Sequence, residues 1–203
     1  GMFMCGARMT YAIEPERAVG CWYSGFAVTP YGGLNQWGEP VADITPEINA
    51  TGGGACPDND GVDAAGAFFA TMSDCGDVEA TEADRPFLYL FRNFFSNSYG
   101  HGKFRGGSGV GFGAMVHGVP GIAVGGMGFG TRFPATLGIF GGRAAPTVFV
   151  QVVTGSNMPE LLAEGSALPR NLDELYGGAS PEAGARRLQH VSFPPQALAG
   201  GDT

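Results

Sequence analysis

The chain has 203 residues, 44% of them hydrophobic, enough for one domain that buries roughly 70% of its unfolded surface. Nineteen acidic residues against eleven lysines and arginines give a net charge of −8, which repels phosphate backbones and anionic lipid and so argues against nucleic-acid and membrane-surface partners. No apolar run approaches the ~18 residues of a membrane span. Thirty-six glycines without a Gly-X-Y period exclude collagen and point to tight turns between short strands.

Gly1 before Met2 reads as a cloning remnant, which predicts an excised piece. Nothing in the first 30 residues resembles a signal peptide. Cys5, Cys21, Cys56 and Cys75 are widely spaced, and with only three histidines they form no zinc pattern. They predict free thiols in a reduced, cytoplasmic protein. Residues 9–28 close on the apolar run 19–28 and read as strand. Residues 29–59 carry Pro30, Pro40, Pro46, Pro57 and a glycine triplet and read as loop, a length that is uncommon unless it packs on a site or partner. Asp60 or Asp63 is placed to cap a short helix over the alanine-rich segment 64–72. No glutamate stands where an EF-hand needs its last ligand. Residues 74–84 read as a solvated acidic loop.

Strands are predicted at 86–95, 110–116, 119–124 and, most clearly, 147–153. Past Gly155, residues 159–164, 171–176 and 181–188 read as short helices, followed by a Pro/Gly tail ordered only against a partner. The class is α+β: a β-rich, glycine-rich domain over 1–155 with a short-helix arm and tail over 156–203.

The stretch 96–109, Ser-Asn-Ser-Tyr-Gly-His-Gly-Lys-Phe-Arg-Gly-Gly-Ser-Gly, sets Lys103 and Arg105 among five glycines. Exposed N–H groups and two cations can hold an anion; a tight turn between strands is the other reading. His101 is a candidate base or an ordinary turn histidine. A Walker A loop is excluded because Phe104 follows Gly102-Lys103. Gly109, Gly111 and Ala114 fit a loose dinucleotide pattern, but residues 117–120 break the helix it needs. Neither a nucleophile elbow nor a His-Glu-x-x-His motif is present.

Several segments together resemble the C-terminal part of the hydantoinase B/5-oxoprolinase family, most closely the large subunits of its acetone carboxylase branch. They are Gly52-Gly-Gly-Ala55, Asp60-Gly-Val-Asp-Ala64, Leu88-Tyr-Leu-Phe-Arg-Asn93, the loop 98–107 and Gly138-Ile-Phe-Gly-Gly142. Ser73-Asp-Cys-Gly-Asp77 matches a step of the carboxylase branch. Tyr99 and His101 depart from the small or proline residues usual in the loop.

The resemblance implies an ATP-dependent hetero-oligomer. Its partners are a hydantoinase A-like ATP-binding subunit and the remaining large-subunit segments. The chemistry implied is carboxylation of a ketone with bicarbonate to a 3-oxo acid, or in the other branch opening of a cyclic amide. The family's metal ligands lie upstream of all these motifs. The resemblance therefore implies ATP and a divalent metal for the whole complex and no cofactor within this chain, which would be a fragment or split subunit. On this reading Lys103 and Arg105, with His101, act on anionic intermediates. Asp60, Asp63 and Asn97 contact substrate or order the loop. A non-catalytic assembly domain is the remaining alternative.

Overall fold

The computed structural model describes residues 2–22, 25–49, 51–67, 70–71, 74–176, 181–189 and 192–203. Its hub is strand β8 (Gly121–Phe129), which pairs antiparallel with β1 (Phe26–Val28), β2 (Pro30–Leu34) and β11 (Phe193–Ala199); β3 (Pro40–Ile44) extends the sheet beyond β2. Along β8 the period of two is plain at Ile122 and Val124, which face inward while Ala123 faces out. Tyr31, Val116, Val152 and Leu198 pack with them as the core, and Phe87 meets Tyr31 edge-on at 4.7 Å.

Glycines interrupt that alternation for a reason. A Cβ at Gly126 would overlap the Phe193 ring, and one at Gly113 would stand 2.7 Å from the Phe91 ring. Strand glycines here make room for aromatic rings. The second layer is the hairpin of β6 (Phe87–Phe94) and β7 (Val110–Val116), with α4 (Leu172–Tyr176) laying Leu172 over Gly111. Strand β9 (Val150–Thr154) pairs with β10 (Ala185–Gln189), and β4 (Gly66–Ala67) with β5 (Ala70–Thr71). The remaining helices are α1 (Met2–Ile13), α2 (Val78–Asp84) and α3 (Met158–Glu164). The expected β-rich α+β class is what the chain adopts.

Several local expectations are overturned. Among the described residues of 9–28 only Phe26–Val28 is strand, because the Met/Ala-rich start is good helix former and continues α1 to Ile13. The segment 29–59 contains the β2–β3 hairpin. Pro30 and Pro40 stand as first residues of their strands, where no ladder N–H is required, and Asn35 Oδ1 accepts from the N–H groups of Trp37 and Glu39 across the turn. The helix expected over 64–72 is replaced by β4 and β5, with residues 68, 69 and 72 outside the described set. Ala64 turns at φ +46 and donates to Ser108 O, so neither Asp60 nor Asp63 caps a helix there.

The acidic loop is helix α2, capped by Asp77, whose side chain accepts from Glu79 N at 3.1 Å. Residues 185–189 are strand, because pairing with the β-branched β9 prevails over a weak helix signal.

The tail is no disordered end either. β11 joins the central sheet, and Asp202, 6% exposed, accepts from Gly155 N and Ala199 N, each at 2.8 Å. Val116 N–H donates to Asp202 O and Gly201 N–H to Val116 O. Asp202→Ala removes the acceptor of two part-buried N–H groups and is expected to lower stability by roughly 1–2 kcal/mol, read as a shift of the urea midpoint with unchanged slope.

Candidate functional site

The loop 96–109 crosses two other stretches of main chain, 52–54 and 60–63, at contact distance. Gly61 N–H donates to Arg105 O, Gly107 N–H to Gly53 O and Gly53 N–H to Val62 O, each at 2.8 Å; Gly106 N–H reaches Gly100 O at 2.9 Å. A Cβ at Gly107 would overlap the Val62 carbonyl, one at Gly52 the Gly107 carbonyl, and one at Gly61 the Gly53 carbonyl. Only glycine permits backbones to approach this closely.

Arg105 clamps the crossing. Its guanidinium donates to both carboxylate oxygens of Asp63 (2.8 and 3.2 Å), to Gly106 O, and stands 3.6 Å from Asp60; its plane lies over the Tyr99 ring at 4.8 Å. Asp63 Oδ1 also accepts from Ser108 N, and Asp60 Oδ1 from Arg105 N. The hydrogen bond from Arg105, then that from Ser108 N, holds the Asp63 carboxyl below the usual carboxylate range, and Asp63 in turn raises the guanidinium. The main-chain N–H groups of residues 105–108 are therefore all taken up within the protein. Of the two readings that the sequence left open for this loop, residues 105–108 follow the structural turn, because the crossing itself uses those donors.

The sequence candidates divide into two groups. Asp60, Asp63 and Arg105 form the clamp, and none of them lines the main cavity; nor does Asn97, which turns at φ +58 and accepts from Tyr99 O–H at 3.4 Å. Lys103 and His101 do line it, at the rim of a largely apolar cavity of about 690 Å³. Lys103 Nζ lies 5.0 Å from the Phe104 ring centroid, and His101 lies 5.0 Å from the Tyr99 ring.

A further cation on this rim, Arg143, was not among the sequence candidates. Its N–H donates to His101 O at 2.7 Å, which ties the turn at 138–142 to the loop, and a Cβ on Gly100 would stand 2.6 Å from Arg143 O. The legible signal was its place directly after Gly141-Gly142. Neither the Lys103 nor the Arg143 side chain has a carboxylate partner among the described residues.

Deeper in the same wall, Glu47 and Arg92 form a nearly buried ion pair at 2.7 Å (5% and 15% exposed), and Tyr89 O–H donates to Glu47 at 2.9 Å. Burial, then the Glu47 charge, pushes the Tyr89 phenol far up, so it remains a neutral donor. Arg92 also donates to Gly76 O, and Asn93 to Arg170 O. The strand-end Arg-Asn pair thus fastens β6 to its neighbours. Glu47, hidden in a proline-rich stretch, carried no sequence signal. Ser73 lies outside the described residues, while Asp74 and Asp77 shape the turn into α2.

The model of the Hydantoinase B/oxoprolinase family matches residues 4–174. The chain belongs to this family. Its relatives include the acetophenone carboxylase delta subunit of Aromatoleum aromaticum, 36% identical over 135 residues, which are 66% of this chain and 20% of that protein. They also include the acetone carboxylase alpha subunit of Xanthobacter autotrophicus, 34% identical over 151 residues, or 74% of this chain and 19% of that one. A nucleotide-free structure of acetone carboxylase, from work on ATP-dependent acetone carboxylation, superposes with a TM-score of 0.78 at 25% identity and covers 100% of this chain and 28% of its own. The hydantoinase B/oxoprolinase chain thus spans about a fifth of the length of the curated relatives it matches. Among its described residues, no group of three or more His, Cys, Asp or Glu side chains is placed to hold a metal ion. No described helix is long and apolar enough to cross a membrane.

Two measurements check the crossing. Gly107→Ala is expected to destabilise by ~3 kcal/mol or more, while Gly6→Ala, which meets open space in α1, gains up to about 1 kcal/mol of local helix stability; thermal unfolding and exchange of the α1 amides separate them. Because the folded-state pKa of Asp63 is depressed, its contribution is present above the unfolded value of about 4 and is lost as pH falls through the folded value. Protection of the amides in residues 100–108, corrected for the intrinsic exchange rate, should fall as pH drops below about 4 more than global stability requires, and Asp63→Asn should remove that difference.

Proposed function

We propose that this chain is part of the large subunit of an ATP-dependent ketone carboxylase, joining a ketone and bicarbonate to a 3-oxo acid. Its cavity rim holds an anionic reaction species. The observation that carries the reading is the pair of cations, Lys103 and Arg143, that have no carboxylate partner among the described residues and stand on the rim of a largely apolar cavity in a chain of net charge −8. Similarity to the acetone and acetophenone carboxylase subunits supports the carboxylase branch.

Phosphorylated and enolate-like intermediates are anions, and preorganised cations beside an apolar wall stabilise developing negative charge more strongly than water does. Lys103 offers a mobile ammonium with three donors; Arg143 offers a planar fork suited to phosphate or carboxylate. Arg105 keeps the rim in place through its carboxylate partners. His101, on the same rim, is the group assigned to proton transfer at the bound species.

ATP binding and metal chemistry are assigned to partners, a hydantoinase A-like subunit and the unmatched large-subunit segments. The four free cysteines and an ATP requirement support a cytoplasmic setting. The second reading, cyclic-amide hydrolysis, rests on the family's own description as Hydantoinase B/oxoprolinase.

The assembled complex, assayed with acetone or acetophenone plus bicarbonate and ATP against hydantoin or 5-oxoproline, separates the two branches. Lys103→Met and Arg143→Met are each expected to lower turnover by roughly tenfold to a hundredfold with intact assembly. Normal turnover in both variants removes the anion role and leaves an assembly domain.

A further inference from the structure

We propose that residues 131–147 form a lid over the cavity, held shut when an anion bridges Lys103 on loop 96–109 and Arg143 on the lid. Between the end of β8 at Phe129 and the start of β9 at Val150 the chain carries no helix or strand. A connection without secondary structure that exceeds ~12–15 residues is uncommon in a compact domain and usually functional. Its base is tied, since Val148 N–H donates to Gly130 O at 3.1 Å, with Gly130 turning at φ +89. Both ends are thus anchored beside the strands that frame them. In between, among the described residues, one hydrogen bond leaves the stretch, from Arg143 N–H to His101 O at 2.7 Å. The bond from Gly142 N–H to Ile139 O is internal, and the Phe140 ring rests 4.7 Å from that of Tyr11. No residue of 130–149 is fully buried. A segment with so few bonds and no buried side chain opens at a much lower free energy than the sheet beside it.

The inner side of this stretch is cavity wall: Thr136, Ile139, Gly142, Ala145 and Thr147 all line it. Opening the lid therefore opens the cavity. Lys103 stays behind, because its loop is fixed by the crossing of 52–54, 60–63 and 105–108. Arg143 leaves with the lid. A ligand shifts such an equilibrium only by what it binds better in the closed state. An anion that touches both cations has that difference, and an apolar body inside the cavity adds contacts with the lid that opening removes. The ligand class that closes the lid is an apolar molecule carrying one anionic head. The anion role of the two cations is taken from the proposed function; the existence of the lid is not.

The test uses the 203-residue chain and two reporters already in it, the free thiols of Cys21 and Cys56, which line the cavity. Amides of 131–147 should exchange at least roughly a hundredfold faster than those of β8 and β9. Phenylphosphonate, an aryl body with an anionic head, should slow both that exchange and iodoacetamide labelling of the two thiols roughly tenfold. Inorganic phosphate and toluene, each with half of that chemistry, should protect far less. Arg143→Met should abolish the phenylphosphonate protection of the lid amides. A Cβ on Gly102 would stand 3.6 Å from Gly142 Cα, a spacing suited to a disulfide in Gly102→Cys/Gly142→Cys. That cross-link should slow labelling of Cys21 and Cys56 roughly tenfold without ligand, and dithiothreitol should restore it. Lid amides as slow as those of β8, a cross-link that does not form, labelling that it leaves unchanged, or lid protection by phenylphosphonate that is absent in the parent or survives in Arg143→Met each overturn the proposal. None of these readouts is turnover, so a failed carboxylase reading is told apart from a failed lid.

Discussion

Where residues 52–54, 60–63 and 105–108 cross, carbonyl oxygens of one stretch occupy the space that a Cβ of another would need. The rest of the site is hung on this backbone contact. Loop 100–104 projects from it, the turn at 138–142 is bonded to that loop through Arg143 and His101, and the cavity rim lies between them. A glycine-rich sequence is costly in chain entropy, and here the cost is offset by main-chain hydrogen bonds that no bulkier residue could form.

The charges near the crossing have two separate tasks. Arg105, bracketed by Asp60 and Asp63, is neutralised and directional, and its pairing fixes geometry; exposed pairs of this kind add little to net stability. Lys103 and Arg143, on the rim, have no carboxylate partner among the described residues, in a chain that is acidic overall. A charge without a partner beside an apolar cavity is the arrangement that electrostatic stabilisation of an anion requires. The buried Glu47–Arg92 pair with Tyr89 works as a third arrangement, tying the 3₁₀ turn Pro46–Asn49 to β6 so that the cavity wall has a fixed shape. The two ions are bonded to each other and to further polar groups, which offsets part of their desolvation, while Glu47 Oε2 and Arg92 Nε are buried without a hydrogen-bond partner among the described residues.

The fold brings distant segments to β8. The strand pairs with β1 and β2 from the first forty residues and with β11 near the end of the sequence, so early and late segments meet on one central element. The buried turn at 200–203 reinforces this by bonding back to Val116 and Val153.

The sequence by itself determined the β-rich class, the strands at β6, β7 and β8, the helices at α3 and α4, and the family motifs, because these rest on local patterns: runs of β-branched and aromatic residues, proline helix starts, and glycines at fixed spacing. It also offered Lys103, Arg105 and His101, with Asp60, Asp63 and Asn97, as candidates. Only the tertiary structure decided which of these are clamp and which are rim, since Asp60 and Asp63 are more than forty residues from Arg105 in sequence and their pairing is a property of the crossing. The same holds for Arg143 and Glu47, whose neighbours come from other loops, and for β10 and β11, whose weak local preference is overruled by long-range strand pairing. Short-range chemistry writes the elements; contact between remote segments assigns each charged residue its work.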